Sequence, residues 1–316
     1  MKKKWFRILS SVCFLIFLAA CKKTDIGLFS AEFPGMTRIS FIPPIENHPF
    51  WLAAREGMAK ECHRLGFNLD YVGPDIVNQD RQIELIEIAI ASQVDGIVTS
   101  AVDPGRFDAV IRSSVRNGIP IVLIGSDSPG SLRTVFVGID NVDAGRKAGN
   151  LMIESSGGKA LIGVVTGYSR QLSLNQRIQG FTEAISEYPE MRIVTVEESG
   201  FDQINAGKRT KEILLEHPEV NAFLGVSTND IEGIARIISE KSNSSSFSLI
   251  GFDDVDFTIE SIKNGLVYGT IVQTPGQLGI LSTEALAAVF SGGEVPESFI
   301  ETETRLITLE NVKDLY

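Results

Sequence analysis

The chain has 316 residues, with 29 Lys and Arg against 40 Asp and Glu and a formal net charge of −11. Its 43% hydrophobic and 22% charged content is that of a globular chain with a sizeable core, which excludes disorder as the main state. The acidic surplus argues against a nucleic-acid partner, three cysteines are too few for a disulfide scaffold, and three histidines leave little room for a histidine-rich metal site.

The first segment is basic, Lys2-Lys3-Lys4 with Arg7, and an apolar run follows from Ile8 to Ala20, broken only by Ser10 and Ser11. That run is shorter than the roughly 20 residues of a membrane-spanning helix, and it has the form of a signal-peptide h-region. It ends Leu18-Ala19-Ala20-Cys21, which resembles the bacterial lipobox. The resemblance implies a lipoprotein signal peptide over 1–20, lipidation of Cys21, and a tether over 21–35. Cleavage takes the basic count from 29 to 25 against 40 acidic residues, a net charge of −15. Two or more acyl chains on Cys21 would anchor the protein firmly to a bilayer. Cys13 is lost with the signal segment, which leaves Cys62 as a thiol. Cys62 lies among Met58 and Leu65 on the apolar side of a helix and reads as a small buried residue.

From Met36 onward, short apolar runs alternate with amphipathic stretches. Strands are expected at 39–42, 67–72, 96–99 and 120–124, with helices at 50–65, 80–92 and from Pro104. The pattern then restarts with a helix over 140–155 and a strand over 160–166. Helices at 174–187, 205–215, 231–240, 257–263 and 277–290 alternate with strands at 192–196, 222–226, 247–250 and 268–272. This alternation implies βαβ units and parallel sheets. The run Ser242-Asn243-Ser244-Ser245-Ser246 is a solvated loop, and no stretch reads as a long interdomain linker.

The motifs of catalysis are missing. Gly200 to Lys208 has six residues between its glycines and Arg209 after the lysine, which is not a phosphate-binding loop. No dinucleotide fingerprint or nucleophile elbow appears, so neither a cofactor nor an enzymatic activity is proposed. His48, His63 and His217 lack metal-ligand spacing. Asp253 and Asp254 are adjacent on a loop, where side chains diverge, and do not read as an acid–base pair.

What remains is a set of polar and aromatic clusters at strand ends, where open α/β sheets bind ligands. They are Asn47 to Trp51, Gly125 to Pro129, Gly167 to Ser169 with Asn175 to Arg177, Phe201-Asp202, Ser227 to Asp230, Asp253-Asp254 and Gln273. Carboxylates and amides of this kind hold adjacent hydroxyls, and aromatic rings cover the C–H faces of a sugar. Phe50 and Trp51 fit either that role or the core side of an opening helix.

From about Arg38 to about Leu309 the chain resembles the periplasmic sugar-binding proteins of the ribose-binding type, the solute receptors of ABC importers. The resemblance is carried by His48-Pro49-Phe50-Trp51, Gly118-Ile119-Pro120-Ile121-Val122 and Val137-Gly138-Ile139-Asp140-Asn141 with Ala144-Gly145. It continues in Asn175-Gln176-Arg177-Ile178-Gln179-Gly180-Phe181, Ile250-Gly251-Phe252-Asp253 and Gly269-Thr270-Ile271-Val272-Gln273-Thr274-Pro275. It implies an α/β fold of two similar doubly wound parallel-sheet lobes, joined by a three-crossover hinge, with ligand in the interlobe cleft. The first lobe would be 36–139 plus 274–300, and the second 140–273 plus 301–316.

Carried over residue by residue, the resemblance implies ligand contacts from His48, Phe50, Trp51, Asp127, Asn175, Phe201, Asn229, Asp253 and Gln273. Arg177 would brace the loop, and Ser227 or Thr228 would replace Asn229 in another register. His48 stands where the ribose binders carry Asn, and Gly125-Ser126 where they carry Asp-Arg. Gly125 thus removes a carboxylate, so either Asp127 compensates or the ligand has fewer hydroxyls there. The implied protein is a lipid-anchored, extracytoplasmic monomer without metal or cofactor. It would sit in the periplasm or at the outer face of the cytoplasmic membrane and deliver a monosaccharide or polyol to an ABC permease. The alternative is a protein that presents its ligand to a chemoreceptor or histidine kinase. A lactose-repressor-type regulator would need a basic DNA-binding head in the place the signal segment occupies.

Overall fold

The computed structural model describes residues 35–316 except 294 and 296, so the signal segment and Cys21 lie outside the described residues. Two six-stranded sheets organise them. The first is ordered β2 (Asn68–Tyr71), β1 (Arg38–Ile42), β3 (Gly96–Thr99), β4 (Ile121–Ile124), β5 (Val135–Gly138) and β11 (Phe299–Glu301), all parallel. The second is ordered β7 (Met191–Glu198), β6 (Ala160–Thr166), β8 (Ala222–Gly225), β9 (Ser248–Phe252), β10 (Gly269–Val272) and β12 (Arg305–Thr308). Only β12 runs antiparallel to its neighbour there.

The two orders repeat one topology. In each, the winding direction reverses beside the first strand in chain order, between β1 and β3 and between β6 and β8. The crevice outside the carboxyl ends at such a point is where ligands bind in this class of sheet. Helices cover both faces, so β3, β4, β5, β8 and β10 are buried throughout. Their near-continuous apolar sequences follow from that burial.

The chain crosses between the sheets three times. After β5 it enters α4 (Asn141–Ser156), whose Ala144, Ala148, Leu151 and Met152 pack with Ile162, Phe181 and Ile250 of the second core. After β10 it enters α9 (Pro275–Phe290), whose Leu278 and Leu286 pack with Ile39, Phe41 and Met58 of the first core. It crosses again between β11 and β12, and Glu301 still pairs with Gly138, one residue past a boundary at 300. Close helix contact needs glycine at two places. A Cβ on Gly180 would lie 1.8 Å from the Val142 carbonyl oxygen, and one on Gly279 would lie 2.0 Å from that of Ala54.

The strands at 96–99 and 160–166 fall where the sequence places them. Three strands do not show in the alternation. The loop from β4 to β5 contains no helix, and β11 and β12 are edge strands of three and four residues. Cys62 is buried in the first core, where burial pushes its thiol up to about 11. No helix among the described residues is long and apolar enough to cross a membrane.

Candidate functional site

The carboxyl ends of both sheets meet in one cavity with a volume of about 100 Å³, open to solvent on one side. Its second-lobe wall is built around Asp253. This residue directly follows β9 with φ +68°, a left-handed conformation that Asp tolerates better than most side chains. Its backbone N–H donates to the Ile271 carbonyl at 2.8 Å, which ties the turn to β10. Thr228 Oγ1 donates to Asp253 Oδ2 at 2.5 Å, and Gln273 Nε2 donates to Oδ1 at 3.1 Å. A carboxylate has about four acceptor positions, so two such bonds fix its orientation and leave capacity for ligand hydroxyls.

Thr228 opens α7 (Thr228–Ser239), and its position is set by a capping box. Asp230 Oδ2 accepts from Ser227 N at 2.9 Å and from Ser227 Oγ at 2.6 Å, and Oδ1 accepts from Ser199 Oγ at 2.5 Å. Asp230 is fully buried, and burial pushes its carboxyl up to about 7 despite these bonds and the Arg177 charge. Next to it, Asn229 Nδ2 donates to the Phe201 carbonyl at 2.5 Å.

Phe201 has φ +60°, unusual for an aromatic residue and of the kind that clusters at ligand sites. Asn229 holds its carbonyl, and Ser199 Oγ accepts from its N–H at 3.1 Å. Its ring packs edge-on against Tyr168, with centroids 5.3 Å apart. A Cβ on Gly167 would come within 2.4 Å of that ring, so glycine there makes room for it.

Arg177 projects from α5 (Leu172–Ile185) and is only 4% exposed. It donates through Nε to Asn141 Oδ1 and through Nη1 to the Val226 carbonyl, both at 3.0 Å. Its guanidinium lies 4.3 Å over the Phe252 ring. Burial lowers its pKa, and Asp253 and Asp230 oppose that shift. It braces three elements and also lines the cavity.

On the first-lobe side, His48 caps α1 (Pro49–Leu65), and its Nδ1 accepts from Phe50 N at 3.3 Å. That bond places the proton of the neutral ring on Nε2. The imidazole faces Asn229 and Asp253 of the other lobe. Burial lowers its pKa, and those two residues raise it by less. Phe50 and Trp51 pack edge to face with centroids 4.8 Å apart. Trp51 also meets Phe41 of the core at 6.3 Å, so the pair both packs on the core and faces the cavity. Gly125, with φ +73°, lies under Trp51, and a Cβ there would sit 3.3 Å from the indole.

The cavity brings together seven of the nine residues expected as ligand contacts: His48, Phe50, Trp51, Phe201, Asn229, Asp253 and Gln273. Ser227 and Thr228 line it as well, so the three registers considered there share one wall. Asp127 and Asn175 are not on its lining. Asp127 is held by Arg133, with Nη2 2.8 Å from Oδ2, and accepts from Ser128 N at 2.7 Å. The Arg133 pairing thus occupies the carboxylate that the sequence offers in place of the one lost at Gly125. Asn175 is exposed, and its Nδ2 donates to the Ser169 carbonyl at 2.6 Å, whereas Leu174 and Arg177 of the same helix line the cavity.

The sequence reading missed Pro44, Ile45, Val77, Ser100, Val102, Gln171, Ser173 and Leu174. Ser100 directly follows β3 and Val102 lies two residues further on, and the rule that strand ends bind ligand could have found them. Outside the cavity, Arg170 Nη1 of the second lobe lies 3.4 Å from Asp103 Oδ2 of the first. Lys147 Nζ donates to Thr304 Oγ1 at 2.7 Å, beside the third crossing.

Residues 39–294 match the model of the periplasmic binding protein domain. The ribose import binding protein RbsB of Bacillus subtilis (strain 168) is 24% identical over 253 residues, covering 80% of this chain and 81% of its own. The glucose-galactose binding protein GanP from Geobacillus stearothermophilus has a similar structure, with a TM-score of 0.85 at 32% identity over 87% of this chain and 98% of that one. A structure of the XylFII-LytSN complex matches with a TM-score of 0.82 at 28% identity, over 88% of this chain and 99% of that one. The chain belongs to the periplasmic binding protein family, in its two-lobed type I form.

Proposed function

We propose that the protein captures a monosaccharide or related polyol between its lobes and delivers it to an ABC import permease. The observation that carries this reading is Asp253, a buried carboxylate oriented by Thr228 and Gln273 at the end of β9, within a cavity that also presents Phe50 and Trp51. Oriented acceptors together with aromatic faces suit vicinal hydroxyls on a C–H framework. Similarity to RbsB and GanP, whose names give ribose import and glucose-galactose binding, supports the ligand class. His48, Phe201, Asn229 and Gln273 complete the contact set. The lobes close as two bodies, 36–139 with 274–300 and 140–273 with 301–316, about the three crossings. Lipidation of Cys21 holds this monomer at the outer face of the membrane.

The test is the identity of the solute that the purified protein retains. Denaturation and mass spectrometry should release a neutral polyhydroxylated molecule, and a charged or aromatic solute would overturn the reading. A second reading is that the loaded lobes are presented to a sensory partner. Similarity to XylFII, seen in complex with LytSN, favours weighing it. Loss of sugar uptake on gene deletion supports import, whereas intact uptake with a lost transcriptional response supports sensing.

A further inference from the structure

The two walls of the cavity differ in chemistry. The first lobe contributes the apolar side chains of Pro44, Ile45, Phe50, Trp51, Val77 and Val102. Its polar side chains on the lining are Ser100 and His48. His48 has Nδ1 engaged by Phe50 N and faces the opposite lobe. The nearby carboxylates of this lobe are also engaged. Asp127 is paired with Arg133, while Asp103 caps Gly105 and pairs with Arg170. Gly125 supplies no side chain at all.

The second lobe contributes Asp253, Gln273, Thr228, Asn229, Arg177 and Gln171, with Phe201 and Leu174 as its apolar side chains. Gln171 has its Oε1 buried without a hydrogen-bond partner. A buried acceptor of this kind is costly unless a donor reaches it, and a ligand hydroxyl would supply one.

We infer that the ligand is a deoxy sugar or a similarly two-faced polyol. It turns its hydroxyls to the second lobe and a C–H or methyl edge to Pro44, Ile45, Val77 and Val102. The inference rests on the reading of the cleft as a sugar site and narrows it. A hydroxyl pressed against those four side chains loses its water and finds no partner. A methyl in the same place gains from burial. An apolar pocket rejects an added hydroxyl by up to about 100-fold, which sets the size of the expected preference.

The experiment is calorimetric titration of the full-length protein in detergent with matched pairs: L-fucose and L-galactose, L-rhamnose and L-mannose, 2-deoxy-D-ribose and D-ribose. In pairs that bind, the deoxy member should bind roughly 10- to 100-fold tighter. Equal or weaker binding of the deoxy member in every binding pair overturns the inference and leaves sugar capture standing. No binding by these six or by a wider panel of monosaccharides and polyols, with the protein folded by circular dichroism, overturns sugar capture and the inference with it. Val102→Thr and Val77→Thr keep the side-chain shape and add one hydroxyl. Each should narrow the preference at least about three-fold, within the range a single polar contact commands. An unchanged ratio in both variants overturns the assignment of this wall as the selective element.

Discussion

Thr228 Oγ1 donates to Asp253 Oδ2 at 2.5 Å, joining the first residue of α7 to the end of β9. Together with Gln273 it fixes the carboxylate before any ligand arrives, so little ordering of that group remains to be done on binding. Asp253→Ala removes a charge-assisted acceptor. It should weaken ligand binding by about 2–3 kcal/mol, roughly 30- to 150-fold, as read by titration. Wild-type affinity in a folded variant would place the ligand elsewhere.

Phe201 depends on the absence of a side chain at Gly167. A Cβ there would meet the ring at 2.4 Å, and φ +60° gives the ring little freedom to retreat. Gly167→Ala should therefore weaken binding by about 1–2 kcal/mol while the circular dichroism spectrum is kept, in the range seen for disturbed packing. Titration of the variant beside wild type measures it.

Asp230 sets a pH dependence whose sign follows from burial. Its folded value is raised to about 7 from an ordinary 3.8, so between these values the folded chain holds the proton more than the unfolded chain does. Its contribution is fully present below 3.8 and is lost as pH rises through 7. His48 acts oppositely below its ordinary 6.5, since burial lowers its pKa. The clean comparison is therefore between wild type and Asp230→Asn. The difference in urea midpoint between them should change from pH 5 to pH 8, with wild type losing more as pH rises. Parallel pH profiles would contradict the assignment.

The pair between Arg170 and Asp103 spans the lobes, but the Arg170 side chain is 80% exposed. Exposed ion pairs contribute about 0–1 kcal/mol. Arg170→Ala should weaken binding less than about five-fold, far less than Asp253→Ala. A loss as large as that of Asp253→Ala, measured in the same titration, would mean this contact governs closure.

Cys21→Ala should move the protein from the membrane fraction to the soluble fraction. Mass spectrometry of the wild-type N-terminal peptide should show acyl chains on Cys21. An unmodified cysteine would refute the anchor.

Much of this was legible in the sequence, because helices on both faces force parallel strands to be continuous apolar runs. Asp253 and Gln273 could be found because each directly follows such a run. Val77 and Pro44 could not, since apolar residues in loops carry no pattern that separates cavity wall from core. Asp127 and Asn175 show the opposite case, since neither is on the cavity lining. Both have suitable chemistry near strand ends, but Arg133 claims the first, and the second faces solvent on a helix whose neighbouring residues line the cavity. Pairings between side chains distant in the chain decide such cases, and they exist only once the lobes are assembled.

The most direct measurement is calorimetric titration of the full-length protein against a panel of monosaccharides and polyols. Capture in the cleft predicts saturable binding of at least one of them, one molecule per chain, abolished or strongly weakened in Asp253→Ala. A blank across the panel with folded protein, or binding that Asp253→Ala leaves intact, would contradict it.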